Sequence, residues 1–516
     1  MSFIRYKTKG DKTYAYEITS YYDKDKKTPR QKSKYLGVVN NGNIERTRAS
    51  SSPHMTFDYG NIAVALKIAE EVKLKQTLIE VYGEHTTNII LALATNRIIQ
   101  ETSLSNFRYW YENTYLTSLT PIENPSSQML SRFLDQLGEE QLKQATFFKN
   151  WCSQVSSKSS IAYDLTSISS SSELIDMLEY GYSRDKDYLP QLNLGYVASL
   201  DVSLPLYFKK FPGSINDVVT IRNLLSDLHS FGVDRIRLIL DRGFYSQNNI
   251  KEMIEGGMDF VMAMPFHVKM AQKIIAQNNL KSDSPDRAVS YNGKIIYVGS
   301  GEAEINSKKV KYYHIFDEER KSREINTFYG HLIKIESLLD GKIVNRYEDI
   351  NEILNDTAGK YSGYFTVKRI DSTIVMKRRN KAISRITNRM GKTILIFTDD
   401  IDWETALSHY RNKDRIEKMF KALKNDLGAS PIRVHKETTL DGSLLISFVA
   451  LVIYSDLIRR MRESNLVKEY SMEGIFLELA KIKKIRLLDG SEITSEITKK
   501  CRSIVQRLGL KDIVPT

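Results

Sequence analysis

The sequence predicts an α/β protein whose mixed sheet is flanked by helices, with a strand-rich unit and a helical domain added. Residues 161–264 read as three strands followed by helix, strand, helix and strand, an order typical of α/β folds. The run "RIRLIL", 235–240, is apolar on both faces, as a central strand of such a sheet requires. A length of 516 residues is enough for two or three domains with full cores.

The composition favours a polyanionic partner and a reducing compartment. Seventy-five Lys and Arg against 63 Asp and Glu give a net charge of +12, which suits nucleic acid or a membrane surface, or is simply a basic surface. Two cysteines exclude a disulfide scaffold and a cysteine-based zinc site. The N-terminus has no apolar segment and no run of about 18 apolar residues occurs, so we expect neither signal peptide nor membrane span.

The first third of the chain divides into two predicted domains. Residues 1–58 form a strand-rich basic unit, since "TYAYEITSYY" alternates in the β manner and Lys and Arg crowd the segment. The polar stretch 40–53 is rich in residues that break helices and strands, and is predicted to be a linker. Residues 59–155 carry apolar residues at helical spacing and are predicted to be a helical domain.

The rest of the chain is predicted to be an interrupted α/β core. Residues 156–264 and 401–465 supply its two parts, and 265–400 form a β-rich insertion between them. A C-terminal helical region follows at 466–516. Within the insertion, residues 367–392 hold nine Lys or Arg and one Asp, a bias that favours phosphate contact over a merely solvated surface.

Three acidic residues are candidates for a metal site. Asp164 lies in a strand, and Asp241 follows a central strand. Ligands of open α/β sheets gather at the carboxyl ends of strands. Glu417 lies in the predicted helix "YRNKDRIEKMFKALKNDL", where the structural alternative is a helix stabilised by i,i+4 ion pairs. Converging carboxylates with oxygen ligands only would suit two Mg²⁺ or Mn²⁺ ions and phosphodiester cleavage.

The segments "IAYDLTS", "LILDRGFYS" and "YRNKDRIEKMFKALK" resemble the three acidic blocks of DDE insertion-sequence transposases. The third resembles the Tyr-Arg-Glu-Lys signature of the insertion-sequence-four superfamily, in its sixteen thirty-four-like branch, and matches Tyr410, Lys413, Glu417 and Lys424. Lys413 stands where the signature has arginine, with Arg411 and Arg415 beside it. Asp414 is a neighbouring acid, but the spacing to Tyr410 and Lys424 favours Glu417.

The resemblance implies an RNase H-like catalytic core, metal-dependent strand cleavage and strand transfer by a cut-and-paste route. It implies DNA as partner, both terminal inverted repeats and target, with residues 59–155 as a helical DNA-binding domain. It also implies a homodimer on paired ends and a prokaryotic cytoplasmic, nucleoid-associated location. By the same resemblance, the acids Asp164, Asp241 and Glu417 are catalytic and hold two Mg²⁺ or Mn²⁺ ions. The implied contacts to DNA phosphate are Tyr410, Arg411, Lys413, Arg415 and Lys424.

Two alternatives remain open on the sequence. One is a transposase-derived DNA-binding protein without catalysis, which the presence of all three acids disfavours. The other is a metal-dependent nuclease or phosphatase on an unrelated α/β fold, with Asp164 as nucleophile. Such enzymes carry a second Asp two residues later, where this chain has Thr166.

Overall fold

A computed structural model describes most of the chain in two compact units. The described residues are 2–9, 12–23, 28–40, 43–45, 53–154, 158–170, 172, 175–180, 189–215, 217–233, 235–278, 282–345, 347–425 and 434–513. The first unit comprises Met1–Val72, Asn88–Leu130 and Leu457–Thr516, and the second comprises Lys73–Thr87 and Ser131–Asp456.

The described strands and helices are numbered in chain order. The strands are β1 (Ser2–Lys9), β2 (Lys12–Asp23), β3 (Thr28–Asn40), β4 (Asn43–Glu45), β5 (Pro53–Asp58), β6 (Lys158–Ser169), β7 (Gln191–Ser199), β8 (Leu204–Pro212), β9 (Arg235–Leu240), β10 (Asp259–Ala263), β11 (Ala288–Tyr291), β12 (Lys294–Ile305), β13 (Lys308–Phe316), β14 (Phe365–Ile370), β15 (Thr373–Arg378), β16 (Lys392–Phe397), β17 (Lys483–Leu487) and β18 (Glu492–Thr494). The α-helices are α1 (Gly60–Glu71), α2 (Leu74–Tyr82), α3 (Glu84–Ile99), α4 (Leu104–Glu112), α5 (Leu116–Leu119), α6 (Ser127–Glu139), α7 (Gln141–Cys152), α8 (Asp217–Ser230), α9 (Gln247–Glu255), α10 (Lys269–Asn278), α11 (Glu318–Leu339), α12 (Ile350–Ala358), α13 (Asn380–Thr387), α14 (Trp403–Asn425), α15 (Glu437–Glu463), α16 (Met472–Leu479) and α17 (Lys499–Arg507).

The first unit contains two small antiparallel sheets. Strands β1 to β4 form a four-stranded sheet in sequential order, as the alternation in the N-terminal residues predicts. Strand β5 pairs instead with β17, and β18 completes that second sheet. The C-terminal region was expected to be helical, but it contributes two strands beside α16 and α17. Local patterns did not predict these short strands, because β17 pairs with β5, more than 400 residues away, and β18 pairs only with β17.

A nine-stranded mixed sheet organises the second unit and confirms the predicted α/β class. Its strand order is β11-β12-β13-β16-β10-β9-β6-β7-β8. Strands β6, β9 and β10 run parallel to one another, and the other neighbours are antiparallel. Strand β7 is buried along its whole length, as expected for a strand covered on both faces.

The segment 265–400 contributes to this sheet and also forms a separate subdomain. Strands β11, β12, β13 and β16 extend the nine-stranded sheet, and β14 and β15 form a hairpin of their own. Helices α11, α12 and α13 accompany the hairpin. Their shared core contains the buried residues Phe328, Leu332, Ile335, Leu339, Leu354, Phe365 and Ile383.

Helices α14 and α15 follow the insertion. Helix α14 contacts β6, β9 and β10. Among the described helices, α15 is the one long and apolar enough to cross a membrane by length and composition, with a mean hydropathy of 1.7. Polar residues are interspersed along α15, so it contains no uninterrupted run of about 18 apolar residues. In this structure 78% of that window is buried inside the protein, as in an ordinary core helix.

Candidate active site

Asp164 lies within β6, and Asp241 directly follows the adjacent parallel strand β9. The recorded register pairs Lys158 with Arg235 and continues to Ala162 with Ile239, a constant offset of 77 residues. The same offset, continued by two residues, places Asp164 opposite Asp241. Because neighbouring strands lie about 4.8 Å apart, the two carboxylates share one edge of the sheet. The spacing of the two acids in the sequence therefore equals the register offset of the two strands, although the paired residues end at Ala162 and Ile239.

Local structure directs the two acids. Tyr163 faces α8, with its hydroxyl 2.6 Å from the Thr220 hydroxyl, so Asp164, the next residue on the strand, points to the opposite face. The Asp164 carboxylate also accepts a hydrogen bond from the Leu165 amide at 2.9 Å. Asp241 follows the last residue of β9 and begins a short 3-10 turn over Arg242–Phe244. Both acids are half-buried.

Helix α14 carries the third predicted acid across these strands. Lys413 on this helix is 3% exposed, and its ammonium nitrogen lies 3.3 Å from Asp241 Oδ1. Glu417 follows one helical turn later, about 6 Å along the axis. The side chains of Glu417, Arg415 and Lys424 lie outside the described residues, as does that of Asp414. The backbone of α14 thus carries Glu417 past the strands that hold the two aspartates.

Tyr410 lies one turn before Lys413 and is mostly buried. Burial raises the pKa of Tyr410 above its ordinary value, and the neighbouring charge of Asp241 acts in the same direction. Arg242 and Lys413 oppose this shift through their positive charges, and Arg242 also hydrogen-bonds the phenol. The Tyr410 hydroxyl is therefore a neutral hydrogen-bonding group at physiological pH, located beside Asp241.

Arg411 is oriented by two groups of the insertion. Its guanidinium donates to Asp317 Oδ2 at 3.0 Å and lies 5.0 Å from the centre of the Tyr291 ring. Asp317 also caps α11 by accepting a hydrogen bond from the Arg320 amide at 2.9 Å. A DNA phosphate contact by Arg411 stays a prediction, as it does for Lys413, whose ammonium faces Asp241.

The side chain of His409, on α14, is largely buried. Its side chain is 16% exposed, and Nε2 lies 3.9 Å from Asp201 Oδ1. Burial lowers the pKa of His409, and Arg237 adds to the effect while Asp201 opposes it. The imidazole is therefore neutral near pH 7.

Two cavities beside Asp241 are rich in arginine. The first has a volume of about 530 Å³ and the second about 690 Å³. Arg242, Arg320 and Arg323 line both of them. The first cavity also contains Lys294, Arg411 and one acid, Asp317. The second adds Arg389, three aromatic side chains and the acid Glu324, which pairs with Arg320 at 2.7 Å. Such a cationic surface suits phosphate groups.

Arg242, Arg320 and Arg323 are not among the site residues that the sequence predicts. Arg242 directly follows Asp241 within a quoted motif, so its position was a signal that could have identified it. Arg320 and Arg323 lie in the first turns of α11, and no local pattern indicates that this part of the helix lines the same cavities as Arg242. Only the folded insertion places them there.

The donor chemistry fits Mg²⁺ or Mn²⁺. Asp164 and Asp241 provide carboxylate oxygens, the ligands these hard cations prefer, and the Asp241 side chain is 42% exposed and already faces one positive charge. Among the described residues, no group of three or more His, Cys, Asp or Glu side chains could hold a metal ion. The side chain of Glu417 is not among the described residues. Asp164 and Asp241 are thus two fitting ligands of an expected set of three.

These features define a class: an α/β protein with acidic residues at one sheet edge beside an arginine-rich surface, suited to phosphate-ester chemistry. The sequence model of the transposase DDE domain family matches residues 156–453, more than half of the chain. The chain therefore belongs to the transposase DDE domain family. Members of that family generally use divalent metal ions.

Two transposase complexes are similar to this chain at low identity. The piggyBac transposase synaptic complex with hairpin DNA, solved by cryo-electron microscopy, is 10% identical, with a TM-score of 0.33 over 89% of this chain and 84% of that one. The Drosophila P element transposase strand transfer complex is 12% identical, with a TM-score of 0.21 over 77% and 87%. No curated protein matches the chain. Both TM-scores lie below 0.5, so the fold class is assigned from this protein's own strands and helices and not from these two complexes.

Proposed function

We propose that the protein is a DNA transposase of the insertion-sequence-four superfamily, in its sixteen thirty-four-like branch. It binds the terminal inverted repeats of its element, cleaves DNA strands and transfers them to target DNA by a cut-and-paste route. It acts as a homodimer on paired ends in the nucleoid of a prokaryotic cell. The register offset of β6 and β9, which equals the 77-residue spacing of Asp164 and Asp241, supports the proposal, because an acid pair can bind one metal site only when both carboxylates lie together.

The chain's own residues have distinct roles in this proposal. Asp164, Asp241 and Glu417 would hold two Mg²⁺ or Mn²⁺ ions, which on binding supply an activated water and stabilise the leaving oxygen. Tyr410 and Arg242 donate hydrogen bonds to phosphate beside the scissile bond, since both polar groups lie next to Asp241. Arg411, Arg415 and Lys424 add positive charge for the DNA backbone, with Lys413 fixing Asp241.

The insertion supplies further cations for DNA. Strands β14 and β15 and helix α13 carry much of the basic run 367–392. Part of that charge is neutralised inside the protein, since Arg378 pairs with Glu336. Lys368, Lys377 and Lys381 are exposed, and these support a phosphate-binding surface.

The test is cleavage of a labelled duplex that carries the end of the element, with Mg²⁺ or Mn²⁺ and with EDTA. Wild type is compared with Asp164→Asn, Asp241→Asn and Glu417→Gln. Loss of one of these carboxylates should reduce the rate by at least about 10³-fold, because each ligand is needed to stabilise the transition state. Asp400→Asn and Asp414→Asn are controls, and Asp400 is 93% exposed.

The outcomes separate the alternatives. Cutting at the end that EDTA stops, with both controls active, supports the transposase. Binding of that end without cleavage favours a DNA-binding protein that has lost catalysis. Hydrolysis of simple phosphate monoesters that only Asp164→Asn abolishes would favour a phosphatase. If Asp414→Asn is inactive and Glu417→Gln is active, the assignment of the third acid is wrong.

A further inference from the structure

The sheet formed by β1 to β4 has one face on which aromatic and cationic side chains are combined. Directly paired residues of antiparallel strands point to the same face. Between β1 and β2, Arg5 pairs with Tyr16 and Lys7 with Tyr14, and Tyr16 pairs in turn with Tyr35 on β3. The cation–aromatic face comprises Phe3, Arg5, Lys7, Lys9, Lys12, Tyr14, Tyr16 and Tyr35, beside the buried Ile18 and Val38, which pair with Phe3 and Tyr14.

The rings of this face support its cations. The guanidinium of Arg5 lies 5.5 Å from the Phe3 ring centre, and Lys7 Nζ lies 5.6 Å from that of Tyr16. The Tyr35 ring centre lies 5.4 Å from that of Tyr16. Cation–π contacts of this length hold a long side chain in place. They reduce the entropy that Arg5 and Lys7 would lose on binding a ligand.

The face is open to solvent and carries one sign of charge. All eight residues of β1 are exposed, Phe3 is 46% exposed and Tyr35 is 39% exposed. Among the described side chains of β1 to β3, no acid points to this face. The one described acid, Glu17, pairs with Ile4 and Lys34 and so points to the opposite face.

The spacing of the cations suits a linear polyanion. Arg5, Lys7 and Lys9 alternate along β1, so successive cations are about 6.7 Å apart. Like charges in such a row repel one another unless a partner with regularly repeated negative charge lies along them. A nucleic-acid backbone offers one phosphate for each nucleotide.

We propose that the cation–aromatic face binds the phosphate backbone of duplex DNA, in contacts that position the DNA without reading its sequence. This inference rests on the proposed function, because it takes DNA as the substrate. Base stacking on the rings is disfavoured, since Arg5 lies over the Phe3 ring and Lys7 over the Tyr16 ring. The cations remain directed outward, as phosphate contacts require.

The experiment compares two double variants of the full chain that remove equal charge from opposite faces. Arg5→Gln with Lys7→Gln alters the cation–aromatic face. Lys32→Gln with Lys34→Gln is the matched control, because both lysines are exposed and lie on the other face of the same sheet. Affinity is measured by fluorescence anisotropy over a range of KCl concentrations. The probes are a duplex carrying the element's end, a duplex of scrambled sequence and the corresponding single strand.

The expected result is that Arg5→Gln with Lys7→Gln weakens binding of both duplexes by the same factor. The slope of log Kd against log salt should fall by about 1.8, or about 0.9 for each lost phosphate contact. The control should change this slope by less than half as much. Thermal unfolding should be unchanged for both variants, since the substituted positions are exposed.

Other outcomes would overturn the inference. If both double variants weaken duplex binding equally, the loss comes from the lower net charge and not from the cation–aromatic face. A loss confined to the element's end would indicate base readout, and a larger loss on the single strand would indicate stacking. If wild type cleaves the element's end but the two double variants bind duplex DNA equally well, the proposed function stands and the cation–aromatic face does not bind DNA. If the first variant alone weakens duplex binding but no DNA is cut, the face stands and the proposed function fails.

Discussion

The ammonium nitrogen of Lys413 lies 3.3 Å from Asp241 Oδ1, and the Lys413 side chain is almost fully buried. A buried cation thus faces a candidate metal ligand from the helix that carries Glu417. The transposase signature has arginine at this position. A lysine there acts as a point charge, without the planar, bidentate grip of a guanidinium.

We predict that Lys413→Met increases the affinity for Mn²⁺ about tenfold, because it removes a positive charge that repels a dication at Asp241. Lys413→Arg keeps the charge and is the control. Mn²⁺ binding is measured by isothermal titration calorimetry in the absence of DNA. Equal affinity of wild type and Lys413→Met would mean that Asp241 takes no part in binding the ion.

The Arg411–Asp317 ion pair provides a second prediction. Asp317→Asn retains an oxygen to cap α11 but removes the charge opposite Arg411. We expect the affinity for duplex DNA at low salt to rise by roughly fivefold, about 1 kcal/mol, because Arg411 becomes available to phosphate. Asp400→Asn removes the same charge from an exposed ion pair with Lys311. An equal gain in both variants would show that only net charge matters.

A close crossing of α6 and α15 provides a test of the core. A Cβ on Gly138 would lie 1.7 Å from the Thr438 carbonyl oxygen. We predict that Gly138→Ala lowers the free energy of unfolding by about 3 kcal/mol, since neither helix can move without disturbing its packing. Gly330 lies in α11, and a Cβ added there would have no other atom within 4 Å. Gly330→Ala should therefore raise the free energy of unfolding by roughly 0.5–1 kcal/mol. Urea unfolding measures both, and unchanged stability of Gly138→Ala would contradict the crossing.

His314 on β13 predicts a dependence of stability on pH. Burial lowers its pKa to about 4, and the charges of Lys392 and Arg287 act in the same direction. The imidazole is neutral in the folded protein, but the unfolded chain takes up a proton below its ordinary pKa of about 6.5. The stability from neutral His314 is therefore complete above pH 6.5 and is lost as the pH falls toward 4.

Between pH 7 and pH 5 this loss should be about 2 kcal/mol in the free energy of unfolding. His314→Gln should reduce the pH dependence by that amount, measured by urea unfolding at the two pH values. His229→Gln, at an exposed position on α8, should leave the pH dependence as in wild type. A wild-type pH dependence in His314→Gln would show that His314 is not the group responsible.

Much of the fold follows from local sequence patterns. The helix predicted over 410–427 corresponds to α14, which the structure describes as far as Asn425. Alternation predicted the N-terminal strands, and a buried apolar run predicted β9. Short strands such as β17 and β18 were not predicted, because tertiary pairing and not local propensity selects them.

The sequence by itself determined that Asp164 lies in a strand, that Asp241 follows one and that Glu417 lies on a helix, since strand and helix periods are local properties. The spacing of 77 residues between Asp164 and Asp241 had no meaning as a motif. In the structure it equals the register offset of β6 and β9, and register depends on how a whole sheet buries its faces. Tertiary structure likewise decided that Lys413 is buried against Asp241 and that Arg320 reaches the site, because burial and convergence arise only when distant segments pack together.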